Sequence, residues 1–272
     1  MSDTLFYLLV VLFYGAGVVV ALGIFGFSLS LWKKNNGIAD VLYSWYFVIL
    51  AGLSAYLSSL IAMYFRGSAL VSFCYAMLVF IWGIRLSLRI YLKNKGKPED
   101  FRYAAWRKTW KWFKLRSFFQ IYMLQGFLAL VISAPIVLAI MLTPRTFTLL
   151  SILGVIIWIK GFIFEAVGDA QLDRFIRNPH HKGKLMTTGL WKFTRHPNYF
   201  GEALMWWGLW IISISIAGDI WYITIISPLV ITSLLLKVSG IPLLEARMSK
   251  NSDWPEYAKK TSSFIPWFPK KK

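Results

Sequence analysis

Residues 5–32, LFYLLVVLFYGAGVVVALGIFGFSLSLW, contain no Lys, Arg, Asp, Glu or His. At about 1.5 Å of rise per helical residue, such a run exceeds the roughly 30 Å hydrocarbon core of a bilayer. Six more apolar runs follow at about 41–65, 69–92, 117–142, 146–168, 198–217 and 220–238. Backbone amides in lipid must find their partners inside their own segment, so each run is expected to be a helix. The fold class read from the sequence is an all-α membrane protein with about seven transmembrane helices, forming one polytopic domain over residues 1–272. No internal repeat or low-complexity linker divides it.

A formal net charge of +18 would, in a soluble protein, point to nucleic acid. Here position decides otherwise. Segments 33–40, 85–116, 169–197 and 237–272 hold 27 of the 30 Lys and Arg; of the rest, Arg66 and Arg145 fall in opposite loops and Lys160 inside a span. The positive-inside rule then places the N-terminus outside and the C-terminus in the cytoplasm. The connections near Arg66-Gly67-Ser68, Thr143-Pro144 and Gly218-Asp219 are too short to fold independently. Short outer loops and small size favour a bacterial inner membrane. Membrane lipids are the expected partner of the cationic surface, and nucleic acid is not.

The stretch KNKGKPEDFRYAAWRKTWKWFKLR, residues 93–116, sets Tyr103, Trp106, Trp110 and Phe113 at helical spacing, with Arg107, Lys108, Lys111 and Lys114 on other faces. It is expected to be an interfacial amphipathic helix, aromatic toward the headgroups and cationic toward anionic lipid. The tail SSFIPWFPKKK reads as interfacial too, since its two prolines forbid a regular helix.

Ionisable groups at membrane depth are expensive, and each raises a functional question. Glu165, Asp169 and Asp173 recur at i, i+4 and i+8 along one stripe of the fifth span. Ahead of the sixth span, Arg195 and His196 precede Pro197 at the first helical position. A helix start presents partial positive charge, so these residues read as an anion site suited to phosphate. Asn198 and Glu202 share one face at i, i+4, with Tyr199 on the neighbouring stripe, and lead inward from that mouth. The structural alternative is an Asn–Glu pair that locks two helices together.

Metal chemistry finds little support. His180, His181 and His196 are the only histidines and Cys74 the lone cysteine; the adjacent pair His180-His181 cannot share the helix face that a helical metal site uses. Neither a Gly-rich dinucleotide loop, a Walker loop nor a nucleophile elbow is present.

The segments GDAQLDRFIRNP, GLWKFTRHPNYFGEALMWWG, GIPLLEARM and WPEYAKKTSSFIPWFP together resemble the C-terminal half of the steroid 5α-reductase family. KGKPEDFRYAAWR is similar to a stretch in a largely uncharacterised integral-membrane branch. The resemblance covers about residues 160–269 strongly and 82–116 weakly. It implies NADPH held among the C-terminal helices and open to the cytoplasm, with residues 117–272 as the cofactor part and 1–116 on the substrate side. Matched by position, Asp169, Arg177, Arg195, His196, Asn198, Tyr199 and Glu202 would contact the cofactor. The implied activity is reduction of a carbon–carbon double bond in a lipophilic substrate, a steroid-like, terpenoid or other lipid enone entering from the bilayer.

This sequence departs from the family in the residues that polarise the substrate ketone. The second span has no Glu, and Trp82 stands at the tyrosine place, so no catalytic residue is assigned. Asp40, Tyr43, Tyr46 and Tyr64 are candidate replacements. Two other readings stay open. Isoprenylcysteine carboxyl methyltransferases share an R-H-P-x-Y-x-G turn but use S-adenosylmethionine, and a non-catalytic lipid-binding protein would need neither cofactor.

Overall fold

The computed structural model describes residues 3–65, 68–142, 146–216 and 222–270. The expected connections at Arg66-Gly67, Thr143-Pro144-Arg145 and Gly218-Asp219 lie outside the described residues, as does the side chain of Tyr64. The apolar runs fold as helices: α1 (Asp3–Lys33), α2 (Ile38–Phe65), α3 (Ala69–Asn94), α4 (Phe101–Thr109), α5 (Phe113–Ser117), α6 (Leu124–Met141), α7 (Leu149–Arg177), α8 (Pro197–Ile214), α9 (Ile226–Ser233), α10 (Ile241–Met248) and α11 (Trp254–Lys260). Among the described residues there is no strand, and Thr194 pairs with Ser262 in an isolated parallel bridge.

Among the described residues, six helical stretches are long and apolar enough to cross a bilayer: Leu5–Lys33, Ile38–Leu60, Ala69–Asn94, Phe113–Met141, Leu149–Arg177 and Ile223–Met248. Two are composite. A π-helical turn, Phe118–Met123, welds α5 to α6, and another, Leu234–Val238, follows α9. The expected sixth crossing, α8, does not join this set; Asn198 and Glu202 dilute its first turns.

The chain divides into two compact units, residues 1–148 with 213–224 and residues 149–212 with 225–272. In the first, α2 packs on α3 and α6, while α1 lies on α2 and α6. Small residues permit the close approach. A Cβ on Gly126 would sit 2.7 Å from Val19, and one on Gly83 would sit 2.5 Å from Val48. Serines stitch the helices through the apolar layer, as the Ser58 hydroxyl donates to Ser72 Oγ (2.9 Å) and the Ser72 hydroxyl to the Ile140 carbonyl (2.9 Å). With water absent, such bonds satisfy donors that lipid leaves bare.

Asp100 caps α4 by accepting from the Arg102 amide, so the helix begins after Pro98-Glu99-Asp100. It stops at Thr109, well short of the continuous amphipathic helix expected over 93–116, because Trp110 turns extended (φ −80°, ψ 121°), and Trp112, left-handed at φ 57°, precedes the separate α5. Its aromatic stripe is covered in part by the protein itself. Tyr103 is buried and donates to Asp40 (2.6 Å), while Arg102 closes an ion pair with the same carboxylate (2.8 Å). Trp106 stacks on Trp110 at 4.8 Å, and Arg116 covers Trp110. Two carboxylates thus pull the aromatic face inward, since Glu99 also holds Arg107 through both oxygens at 2.8 and 2.9 Å. Burial pushes the Glu99 carboxyl up, but hydrogen bonds from Arg107 and the Asn36 amide outweigh it and hold Glu99 below its ordinary value.

In the second unit α7 and α8 meet along a seam of glycines seven residues apart. A Cβ on Gly154 would lie 2.6 Å from the Gly208 carbonyl, one on Gly161 2.6 Å from the Gly201 carbonyl, and one on Gly168 3.1 Å from Pro197. No side chain intervenes, and the backbones touch. That seam fixes where the start of α8 sits against the end of α7, and the candidate site lies at this junction.

Candidate functional site

The turn before α8 is built from its own hydrogen bonds. Thr194 Oγ1 accepts from the His196 amide at 3.2 Å, and Pro197 opens the helix, where its missing N–H costs nothing. The Trp191 indole donates to the Gly168 carbonyl at 3.0 Å and the Leu190 amide to Gln171 Oε1 at 2.9 Å, tying the turn to α7. The C-terminal tail runs alongside. Arg195 N donates to the Ser262 carbonyl (2.8 Å), Trp267 N to the Phe193 carbonyl (2.9 Å), and the buried Tyr257 hydroxyl to the Trp191 carbonyl (2.6 Å). Burial raises the Tyr257 phenol above its ordinary value, so it remains a donor.

Arg195 anchors this arrangement. Its Nε donates to Glu245 Oε1 at 2.9 Å, and its Nη1 to the carbonyls of Ala258 and Thr261 at 2.8 and 2.6 Å. The side chain is 10% exposed and stands over the Trp254 ring. The expected anion-binding arginine therefore already has a carboxylate, and its Nη2 donates no hydrogen bond among the described residues. The positive end of α8 is compensated from within the chain.

His196 has no exposed surface, and its Nε2 lies 3.1 Å from the same Glu245 oxygen. Burial lowers its pKa below the ordinary value of 6.5 and outweighs the opposing pull of Glu245, so the ring is neutral at pH 7. A neutral imidazole beside a carboxylate carries its proton on the facing nitrogen. Nδ1 is then an acceptor, and it is buried without a protein partner. The ring of Tyr199 lies parallel to the imidazole at 5.7 Å. Two residues further on, Asn198 Oδ1 is likewise buried and unpartnered.

Carboxylates follow on the two helices of the seam. Asp169 and Glu165 are each 2% exposed, and Gly168, next to Asp169, packs against Pro197 and the Asn198 amide. Glu202 is half-buried one turn beyond Asn198. The structure thus gathers Asp169, Arg195, His196, Asn198, Tyr199 and Glu202 at one junction. Arg177 is not part of it: it is exposed, and eight residues beyond Asp169 on α7, which is about 12 Å along the axis.

Sequence reasoning missed Glu245, the carboxylate that holds both Arg195 and His196. Its signal was a lone acid in a stretch otherwise charged by Lys237, Arg247 and Lys250. Unpartnered acceptors favour donors such as ribose hydroxyls or a carboxamide over phosphate, which itself needs donors. An apolar cavity between Phe164, Phe193 and Trp267 measures about 260 Å³, below the range of about 300 to 1,000 Å³ typical of ligand pockets. His181 packs flat against Phe175 at 4.2 Å, and no cluster of three metal-ligating side chains occurs among the described residues.

The candidate replacements for the ketone-polarising pair are engaged elsewhere in the first unit. Asp40 holds Arg102 and Tyr103, the Tyr46 hydroxyl donates to the Tyr122 carbonyl (3.2 Å), and Tyr43 meets Phe47 edge-on. Trp82 is buried against Phe47, a core residue here.

An uncharacterised protein of the fission yeast Schizosaccharomyces pombe is 26% identical over 48% of this chain. The match spans 45% of the yeast protein's length. No solved structure matches the chain. Residues 26–262, the whole of the α7–α8 junction and the Glu245 segment included, match the family described as protein of unknown function (DUF1295), and the chain belongs to that family, a distant relative of the steroid 5α-reductases.

Proposed function

We propose that this protein is a multi-pass membrane oxidoreductase that binds NADPH at the α7–α8 junction and reduces a carbon–carbon double bond of a lipophilic substrate. One observation carries the reading: His196 Nδ1 and Asn198 Oδ1, two residues apart at the start of α8, are both buried acceptors with no partner among the described residues. A buried acceptor left unbonded costs about 1–3 kcal/mol, and a ligand bearing hydroxyl or amide donors removes that cost. The ribose hydroxyls and carboxamide of NADPH are such donors, so the residues present fit this group. The distant relationship to the steroid 5α-reductases points the same way.

NADPH, when bound, supplies the hydride. The chain's own residues bind and orient. Asn198 and His196 accept hydrogen bonds, burial keeps the imidazole neutral, Glu245 fixes its orientation by accepting from Nε2 so that Nδ1 is the free acceptor, and Tyr199 holds the ring from one side. Arg195 positions this group by fastening the tail across the turn, and offers Nη2 to a phosphate. Arg177, exposed beyond the junction, is a second cation for the anionic end. The substrate reaches the protein from lipid, where the apolar helices are exposed.

In the same reading α8 is a seventh crossing. Its 18 residues span about 27 Å, near the hydrocarbon thickness. Seven crossings put the N-terminus outside and the C-terminus inside.

The test is equilibrium binding to the detergent-purified protein, followed by energy transfer from tryptophan to the nicotinamide. The wild type is expected to bind NADPH, and Asn198→Ala to weaken it about tenfold or more with an unchanged thermal midpoint. Binding of S-adenosylmethionine in place of NADPH would make the protein a methyltransferase, and binding of neither would leave a lipid-binding protein without this chemistry.

A further inference from the structure

The first unit holds a cavity of its own, and nothing above uses it. It measures about 780 Å³ and opens where two candidate crossings end, at Lys33 of α1 and Phe113 at the start of α5. Phe27, Leu31, Phe113 and Leu115 form its apolar wall, and Leu31 and Leu115 are themselves 43% and 52% exposed. Trp112, 76% exposed, stands at the rim. The walls are therefore hydrocarbon continuous with lipid-facing surface.

The polar side of the cavity is cationic. Arg107 lines it but is neutralised by Glu99. Lys34 and Lys114 line it from opposite elements, and among the described residues neither has an ion-pair partner. Ser117, 1% exposed, lines it too, and its buried hydroxyl has no hydrogen-bond partner among the described residues. Lys34 and Trp112 also hold left-handed backbone conformations (φ 51° and 57°), a strain that non-glycine residues rarely keep without surrounding support.

We infer that this cavity is a binding site for one anionic phospholipid of the bilayer, with the headgroup phosphate held by Lys34, Lys114 and the Ser117 hydroxyl and an acyl chain laid along Phe27 and Leu31. Charge complementarity selects the occupant. Two unpaired lysines and a buried hydroxyl donor call for an anion, and the apolar wall at the end of two crossings calls for one that carries a hydrocarbon chain. A neutral lipophile would leave both cations unused, and free phosphate would leave the wall bare.

Native mass spectrometry of the full chain in detergent tests this with three probes: phosphatidylglycerol, phosphatidylcholine and inorganic phosphate. The wild type is expected to retain one phosphatidylglycerol in preference to phosphatidylcholine, undisturbed by millimolar phosphate. Lys34→Gln with Lys114→Gln should weaken retention about thirty-fold, at roughly five- to sixfold per lysine. Ser117→Ala should weaken it several-fold, and Lys160→Gln, exposed on α7 in the other unit, should change nothing. Equal retention of phosphatidylcholine, full retention in the double variant, or displacement by inorganic phosphate would each overturn the assignment. So would binding of a neutral enone in this cavity that ignores both lysines.

Discussion

At the residue scale, Glu245 decides the chemistry of the junction. One of its oxygens accepts from Arg195, from His196 and, at 3.4 Å, from Ser263. Glu245→Ala leaves a guanidinium and an imidazole facing no carboxylate. The pair is partly solvated, with side-chain exposures of 10% and 24%, so the loss is discounted from the fully buried case to about 2 kcal/mol, read as a lower unfolding midpoint. The same contacts make Arg195→Ala a poor probe of cofactor binding, since it also frees the tail; Asn198→Ala, which breaks no side-chain hydrogen bond among the described residues, is the cleaner variant. His196 adds a pH dependence. Its folded pKa lies below 6.5, so as pH falls below that value the unfolded chain takes up a proton that the buried ring refuses. Stability is complete above about pH 6.5 and falls below it, by up to about 1.4 kcal/mol per pH unit. The midpoint of the wild type should drop more steeply between pH 6.5 and 5 than that of His196→Gln, and parallel curves would refute a neutral buried ring.

At the scale of elements, the glycine seam sets the site. Gly201→Ala would drive a methyl to 2.4 Å from the Glu165 backbone nitrogen, and backbone cannot swing aside as a flexible side chain can. The cost is about 1–3 kcal/mol of overpacking together with weakened NADPH binding, because α8 must shift against Asp169. Gly17→Ala in α1 meets nothing within 4 Å and should leave the midpoint unchanged or higher. Long apolar helices were legible in the sequence, since length and composition alone require them in lipid. The junction was legible in part. Arg195, His196, Asn198 and Tyr199 are neighbours along the chain, and local spacing finds neighbours. Glu245 lies some fifty residues away, and only the folded tail brings it to the turn. The stripe of 93–116 was legible only in part for a related reason: helical periodicity reveals an apolar face but not what partly covers it, and Asp40, about sixty residues earlier, holds Tyr103.

At the scale of the molecule, six helices meet the demands of a bilayer on length and composition, and α8 is the seventh in the proposed arrangement. Reporter domains that are active on one side of the membrane decide the count: fusions at the two termini should report opposite sides, with the C-terminus inside, whereas same-side termini would mean six crossings. The central claim concerns the junction, and a structure determined with NADPH present tests it most directly. The account expects cofactor density in hydrogen-bonding contact with both His196 Nδ1 and Asn198 Oδ1. Density lodged elsewhere, with those two atoms still unbonded, would contradict it.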